Sequence, residues 1–263
     1  MEAVAAAAVQ VEGRDARALA GDREAFNLLY RPHFEGVYDF VLRIVGEPEP
    51  ATEVVRRAFD LAWSAFPEQG NDVAAWLFTA SRTGALDALR YRRDRNGADR
   101  EPLHLTRLDG NRVPDAAIVF DQALAELVWE AASTLSREDY SLLALHVRHG
   151  LSADDIGEQL GLNGRVSVRL ARTRDVFEEH VTFGLVAARA RHTCGDLDRL
   201  VARHNEHELA KHVRRCARCR ETTRAFVSPA AVLGSLALVE PPPPLGREIF
   251  KPRRRRRRLF GIL

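Results

Sequence analysis

Residues 212–219 read HVRRCARC and set His212, Cys216 and Cys219 in H-x-x-x-C-x-x-C spacing. On a helix, residues four apart share a face one turn apart, so His212 and Cys216 point the same way and Cys219 closes the group. Thiolate and imidazole donors suit zinc, which takes four tetrahedral N or S ligands in closed structural sites. The fourth ligand has to come from elsewhere. Cys194 is the natural choice, because residues 196–203 read as a preceding helix; His192, His204 and His207 compete for the place. The chain's 3 cysteines are Cys194, Cys216 and Cys219. An odd cysteine count clustered beside histidine speaks for metal in a reducing compartment rather than a disulfide framework. The bland alternative is a free-thiol helical tail with incidental histidines.

A second group of chemically capable side chains lies upstream, in LSADDIGEQLGLNGRVSVRLARTRDVF. Arg165, Arg169 and Arg172 recur at i, i+4 and i+7 and share one helical face, with Arg174 close behind. Val166, Leu170 and Phe177 mark a different, inward face. Ser152 and Asp155 have capping-box spacing for a short preceding helix, and Gly161-Leu162-Asn163 reads as a turn into a new helix at about Gly164. Two short helices joined by a glycine-containing turn are the sequence form of a helix-turn-helix, whose second helix offers cations to phosphates and base edges. A helical hairpin with merely solvated arginines is the alternative.

The elements that must position these groups read as helical throughout. The chain has 263 residues, 46% hydrophobic and only 7% aromatic, with no sustained period-two alternation, so an all-α fold is expected. Phe26, Tyr30, Phe34, Val37, Val41 and Val45 form one stripe, with Pro32 expected to split it near Arg31. Pro48 and Pro50 are expected to interrupt the chain before a second helix from Thr52 to Phe66, with Val55, Phe59, Ala62 and Phe66 on its face. A third runs from about Asp72 to Tyr91. Residues 96–119 collect Gly, Asp, Pro and Arg and read as a linker. Leu124, Leu127, Ala131 and Leu135 open a second helical unit, and Ser136 caps its next helix. These signals divide the chain into a flexible start at 1–20, helical units at 21–95 and 120–184, a cysteine-bearing unit at 190–240, and a Pro/Arg-rich tail at 241–263. In that tail PPPP reads as a stiff spacer. The run Arg253–Arg258 with its apolar stub reads first as a solvated tail, then as a contact for anionic lipid or the start of a truncated membrane helix.

All but two of the 39 basic residues are arginine, the exceptions being Lys211 and Lys251, yet the net charge is only +2. A GC-rich coding sequence accounts for that abundance, so placement carries the nucleic-acid argument. No Gly-rich phosphate loop, nucleophile elbow or paired-carboxylate constellation is evident, which speaks against an enzyme. The N-terminus lacks the basic region of a signal peptide, and no apolar run approaches a membrane span. A cytosolic protein is expected.

The two helical units, in this order, resemble the two conserved domains of an extracytoplasmic-function (ECF) sigma factor of bacterial RNA polymerase. The likeness runs through GDREAFNLLYRPHFEGVYDFVLRIVG, VVRRAFDLAW and AWLFTASRTGALDALRYRR in the first unit, and LSREDYSLLALHVRHGLSADDIGEQLGL and RLARTR in the second. It implies that the helix carrying Glu53, Val54, Arg56, Arg57, Phe59, Leu61 and Trp63 docks on core RNA polymerase. It implies that Arg82, Thr83, Asp87, Arg90, Arg92 and Arg93 approach the −10 promoter element, and that the Arg165–Arg174 helix enters the −35 major groove. Arg56-Arg57 stand where the family usually has a Gln-acidic pair, Thr83 where it often has an amide, and NGRVSV is one residue shorter than the usual turn.

HVRRCARCRE in turn is similar to the zinc-binding anti-sigma family, although the interval from Cys194 to His212 is shorter than the usual one. This likeness implies a structural or regulatory Zn2+ in a fused anti-sigma-like module that contacts the sigma domains in cis. The combined expectation is a cytoplasmic, nucleoid-associated transcription initiation factor whose partners are core RNA polymerase and promoter DNA, restrained by its own zinc module, with membrane contact through the tail. The rivals are a non-sigma helix-turn-helix regulator and a zinc-dependent protein-interaction adaptor.

Overall fold

The computed structural model describes residues 23–64, 72–96, 105, 122–162, 164–189, 194–202, 206–224 and 228–251. Those residues are all-α, as the periodicity predicts. The first unit holds α1 (Arg23–Tyr30), a 3-10 turn (Arg31–His33), α2 (Phe34–Val45), α3 (Pro48–Ser64) and α4 (Val73–Asn96). Pro32 splits α1 from α2 as expected. Pro48 and Pro50, by contrast, do not interrupt the chain: they form the first turn of α3. A first turn has no intrahelical partner for its N–H groups, so proline loses nothing there. Gly46 ends α2 at φ 86°, with its N–H on Leu42 O, a conformation glycine adopts at no steric cost. Asp72 caps α4 by accepting the Ala74 N–H at 2.8 Å.

The second unit holds α5 (Gln122–Ser133), α6 (Arg137–Val147), α7 (Ala153–Leu160) and α8 (Arg165–Arg189). Ser136 caps α6, and Ser152 with Asp155 forms the full capping box of α7. Helix α8 runs past the boundary expected at 184. Beyond it lie α9 (Gly195–Ala202), α10 (Glu206–Arg215), α11 (Ala217–Arg224), α12 (Pro229–Ser235) and α13 (Pro243–Ile249). The PPPP stretch expected as a spacer is therefore extended only at 241–242: Pro243 and Pro244 open a helix, and Phe250 is buried behind it. Arg253–Arg258 lie outside the described residues, as do Phe66 and Asn163.

One apolar cluster runs through both units. It joins the stripe of α1 and α2 to Trp129, Leu142 and Leu143, to Leu105 from the 96–119 stretch, and to Val232, Leu233, Leu245, Ile249 and Phe250 from the C-terminal segment. The units also share a buried charged cluster. Asp39 of α2 pairs with Arg43 at 2.8 Å and with Arg148, just past α6, at 3.0 Å. Both guanidinium groups lie over the Trp129 ring, at 3.7 and 5.1 Å from its centroid, so the ring's negative face helps offset the surplus positive charge.

His149 follows Arg148 into the first unit, stacked on Phe78 at 4.3 Å and edge-on to Phe40 at 5.5 Å. Burial drives its pKa down to about 3, aided by Arg148, Arg43 and His33 and opposed by Asp39. The packed form thus excludes the imidazolium. Because the folded pKa is depressed, the stability is fully present above the ordinary value of 6.5 and is lost as pH falls below it. Urea titrations are expected to give about 2 kcal/mol less stability at pH 5 than near pH 7.5 from this group. In His149→Phe that pH-dependent loss should largely vanish; equal slopes for both proteins would refute the assignment.

Candidate metal centre and nucleic-acid interface

The cysteine-bearing unit is three short helices around a small core of Leu197, Leu209, Val213, Cys194 and Cys219, closed on one side by Val186 of α8. Leu209 and Val213, four apart, turn one face of α10 inward, which carries His212 and Cys216 to the same end of the unit. Cys216 sits at the start of α11, where the backbone N–H groups of Cys219 and Arg218 point at its sulfur and lower its pKa. Cys219, one turn on, is fully buried. Cys194 enters from the start of α9.

The four donor atoms of Cys194, His212, Cys216 and Cys219 lie within 4.8 Å of one another. Cys194 Sγ is 3.3 Å from His212 Nε2 and 4.0 Å from Cys216 Sγ. Donors held about 2.3 Å from one zinc at tetrahedral angles stand about 3.8 Å apart, so this donor set fits a closed four-coordinate site. Burial, then the Cys216 and Cys194 thiols, push the Cys219 thiol up to about 12. Such a thiol keeps its proton unless a cation takes the proton's place. The cluster can therefore bind a metal ion. Of the competing ligands, His192 and His204 lie outside the described residues, and His207 is placed only as a position on α10.

The arginines expected at DNA fall into two sets. Arg165, Arg169, Arg172 and Arg174 all lie exposed on α8, while Val166, Leu170 and Phe177 are buried. Gly161 (φ 65°) and Gly164 (φ 72°) make the sharp turn that presents this helix. Arg169 pairs with Asp139 at 2.6 Å and Arg174 with Glu178 at 2.8 Å. On α4, Arg90 pairs with Asp87, Arg92 with Glu47 and Arg93 with Asp94, and Thr83 is exposed with its hydroxyl on Thr79 O. Arg82 is buried between the units and donates to Ser141 Oγ of α6 at 2.7 Å. Burial, then Arg169, lowers its pKa.

On α3, Val54, Phe59 and Ala62 face the core, and Val54 packs closely on Gly84 of α4. Trp63 is half-buried, edge-on to Phe26 at 5.2 Å. Glu53 pairs with both Arg56 and Arg57, while Arg57 and Leu61 lie exposed. Arg56 is engaged from the far end of the chain, by Glu248 of α13 at 2.9 Å.

Sequence reasoning missed Asp39, Arg148, Glu248 and Phe250. One signal was available: Asp39 and Arg43 are the only charges in the run GVYDFVLRIV and stand four apart, and an acid on a core face needs a buried cation. Glu248 and Phe250 gave none, because their partners are about 190 or more residues away in sequence.

Among curated proteins, the chain is 31% identical over 163 residues to the ECF RNA polymerase sigma factor SigL of Mycobacterium tuberculosis (strain H37Rv), covering 58% of this chain and 86% of that protein. Over 153 residues it is 28% identical to the ECF RNA polymerase sigma factor BldN of Streptomyces coelicolor, covering 56% of each. No protein-family model and no solved structure matches it.

Proposed function

This chain belongs to the ECF family of RNA polymerase sigma factors, and we propose that it binds core RNA polymerase through α3, reads promoter DNA through α4 and α8, and is restrained in cis by its C-terminal region. It is a sigma-like transcription initiation factor, not an enzyme. The single observation that carries the reading is an alignment spanning 86% of a sigma factor at 31% identity.

In this reading the outward groups of α3, Glu53, Arg56, Arg57 and Leu61, meet the polymerase, and Val54 shapes the helix from beneath. Thr83, Arg90, Arg92 and Arg93 face the −10 element. Arg82 joins them when α4 parts from α6. The α7–α8 pair acts as a helix-turn-helix, with Arg165, Arg169, Arg172 and Arg174 at the −35 element. The carboxylates now paired with these arginines hold places that phosphates take over on binding, which makes affinity fall steeply with salt.

The ion held by Cys194, His212, Cys216 and Cys219 is zinc, matched to three thiolates and one imidazole. It braces the small helices α9–α11, which lean on α8; Arg214 of α10 pairs with Glu179 of α8. The protein works in the cytoplasm on the nucleoid. No helix among the described residues is long and apolar enough to cross a membrane; the run Arg253–Arg258 is suited to anionic lipid at a membrane surface.

The test is reconstitution of the full chain with core RNA polymerase on fragmented genomic DNA. Co-purification with core and initiation at a restricted set of start sites are expected. Failure to associate with core at any salt concentration, by the full chain and by a version relieved of its C-terminal restraint alike, would leave only the DNA-binding or adaptor readings.

A further inference from the structure

We propose that residues 228–250 form a strap whose last turn is the resident ligand of the α3 face, so that this strap, rather than the metal cluster, excludes core polymerase. The inference rests on the reading of α3 as the docking helix.

The strap is anchored at three places. Helix α12 packs on α5, α6 and α8 of the second unit, with Ala230, Val232 and Leu233 buried. Gly234 lies so close to the end of α6 that a Cβ there would stand 2.8 Å from Val147 O, so no larger residue fits without a backbone shift. The chain then crosses extended to the first unit, and the buried charged cluster holds it by its backbone. Arg148 donates to Leu233 O at 2.7 Å and to Leu236 O and Ala237 O at 3.3 Å each. Asp39 Oδ1 accepts the Val239 N–H at 3.0 Å. The carbonyls of the strap thus occupy both terminal nitrogens of a guanidinium that is only 1% exposed.

The third anchor is a pocket of the first unit. Phe250 sits edge-on to Phe34 at 5.4 Å and Phe59 at 5.8 Å, tilted to Phe26 at 6.4 Å, with the Arg31 guanidinium over its ring at 5.1 Å. Arg23 donates to Ile249 O. Glu248 takes Arg56, one of the two arginines that stand where the resemblance expects a Gln-acidic pair on the docking helix. The arginine is thereby matched to an acidic partner carried in cis. Pro241 to Pro244 stiffen the approach and reduce the freedom lost on docking, and the tether keeps the local concentration of α13 high.

The metal-bearing helices lie elsewhere. Among the described residues, α9–α11 pack on one another and on α8, whereas α13 packs on α3. The pocket therefore recognises an aromatic side chain two residues beyond an acid, and that ligand competes with the polymerase for α3.

The experiment uses the full chain. Phe250→Ala is expected to lose amide protection over 243–250 and to bind core polymerase roughly tenfold or more tightly than wild type, as removal of a buried aromatic anchor implies. Glu248→Arg should behave alike, and Arg56→Glu combined with Glu248→Arg should restore protection. A synthetic peptide of residues 240–251 added to Phe250→Ala should lower core binding again, and the same peptide with alanine for Phe250 should not. Wild-type core affinity in variants that have lost protection overturns the inference while leaving α3 as the docking helix. Absence of core binding in every variant takes down the docking assignment and the inference together.

Discussion

Replacing Cys219 with serine is expected to abolish metal binding and unfold α9–α11 while leaving the main core intact. These helices are 8 to 10 residues long, too short to hold in water without outside support. Their shared core is a handful of side chains, two of them cysteines of the cluster, so a bound ion would replace the apolar area that so small a unit lacks. Structural zinc contributes on the order of 10 kcal/mol or more to the folding of such units, and loss of one of four ligands forfeits much of it. Metal analysis of the purified full chain should find about one zinc per wild-type molecule and a small fraction of that in Cys219→Ser. Amide exchange should accelerate across 194–224 and stay slow in α2, α5 and α6. Full zinc occupancy in the variant would refute the ligand assignment. So would unchanged protection over 194–224 in metal-free protein.

The second large effect is expected at Asp39. Its carboxylate is the only acid in contact with two buried guanidinium groups among the described residues, and it also accepts a backbone N–H from the strap. Removing one member of a buried ion pair costs about 3–5 kcal/mol, because the remaining charge is left unpaired out of water. Asp39→Ala leaves two such charges, against a typical total stability of about 5–15 kcal/mol. Denaturant unfolding should therefore show a fall of about 3–5 kcal/mol. Asp39→Ala combined with Arg148→Met should recover part of it, since the double change removes a stranded cation along with its partner. A loss under about 1 kcal/mol would mean that the cluster is solvated like a surface pair. The same variant should speed amide exchange over 236–240, where Arg148 and Asp39 hold the backbone.

The helices of both units were legible because their signals are local. The stripe from Phe26 to Val45, the proline at position 32, the Ser136 cap and the Ser152/Asp155 box each act within a turn or two. The cluster that can bind a metal ion was legible for the same reason, with His212, Cys216 and Cys219 on neighbouring turns; Cys194 was one of four candidates, favoured for the helix expected beside it, and the fold brings it to 3.3 Å from His212. Pro48 and Pro50 misled because proline breaks a helix interior but is tolerated in its first turn, and nothing local says which applies. The joining of the units could not be read at all. Arg82 on Ser141, Phe78 on His149 and Phe250 among Phe26, Phe34 and Phe59 are contacts between distant segments. Periodicity marks an inward face without saying what lies against it. Residues 241–250 show this most plainly. Their four prolines read as a spacer, yet Leu245, Ile249 and Phe250, which follow, each find a place in the common core.

Arg82 ties the joining of the units to function. The same side chain that is expected at the −10 element is held between the units by Ser141, so the free chain and the promoter-bound chain need different arrangements of α4 and α6. A chain that binds promoter DNA only after its units part will bind it weakly alone and strongly with core polymerase, since the apparent affinity scales with the population of the open form.

The most direct measurement is amide hydrogen exchange of the zinc-loaded full chain, free and with core RNA polymerase. Binding to core should slow exchange along α3, from Glu53 to Leu61, and in the same samples accelerate it over 229–250. Association with core that leaves 229–250 as protected as in the free chain would contradict a sigma factor restrained by its own C-terminal segment.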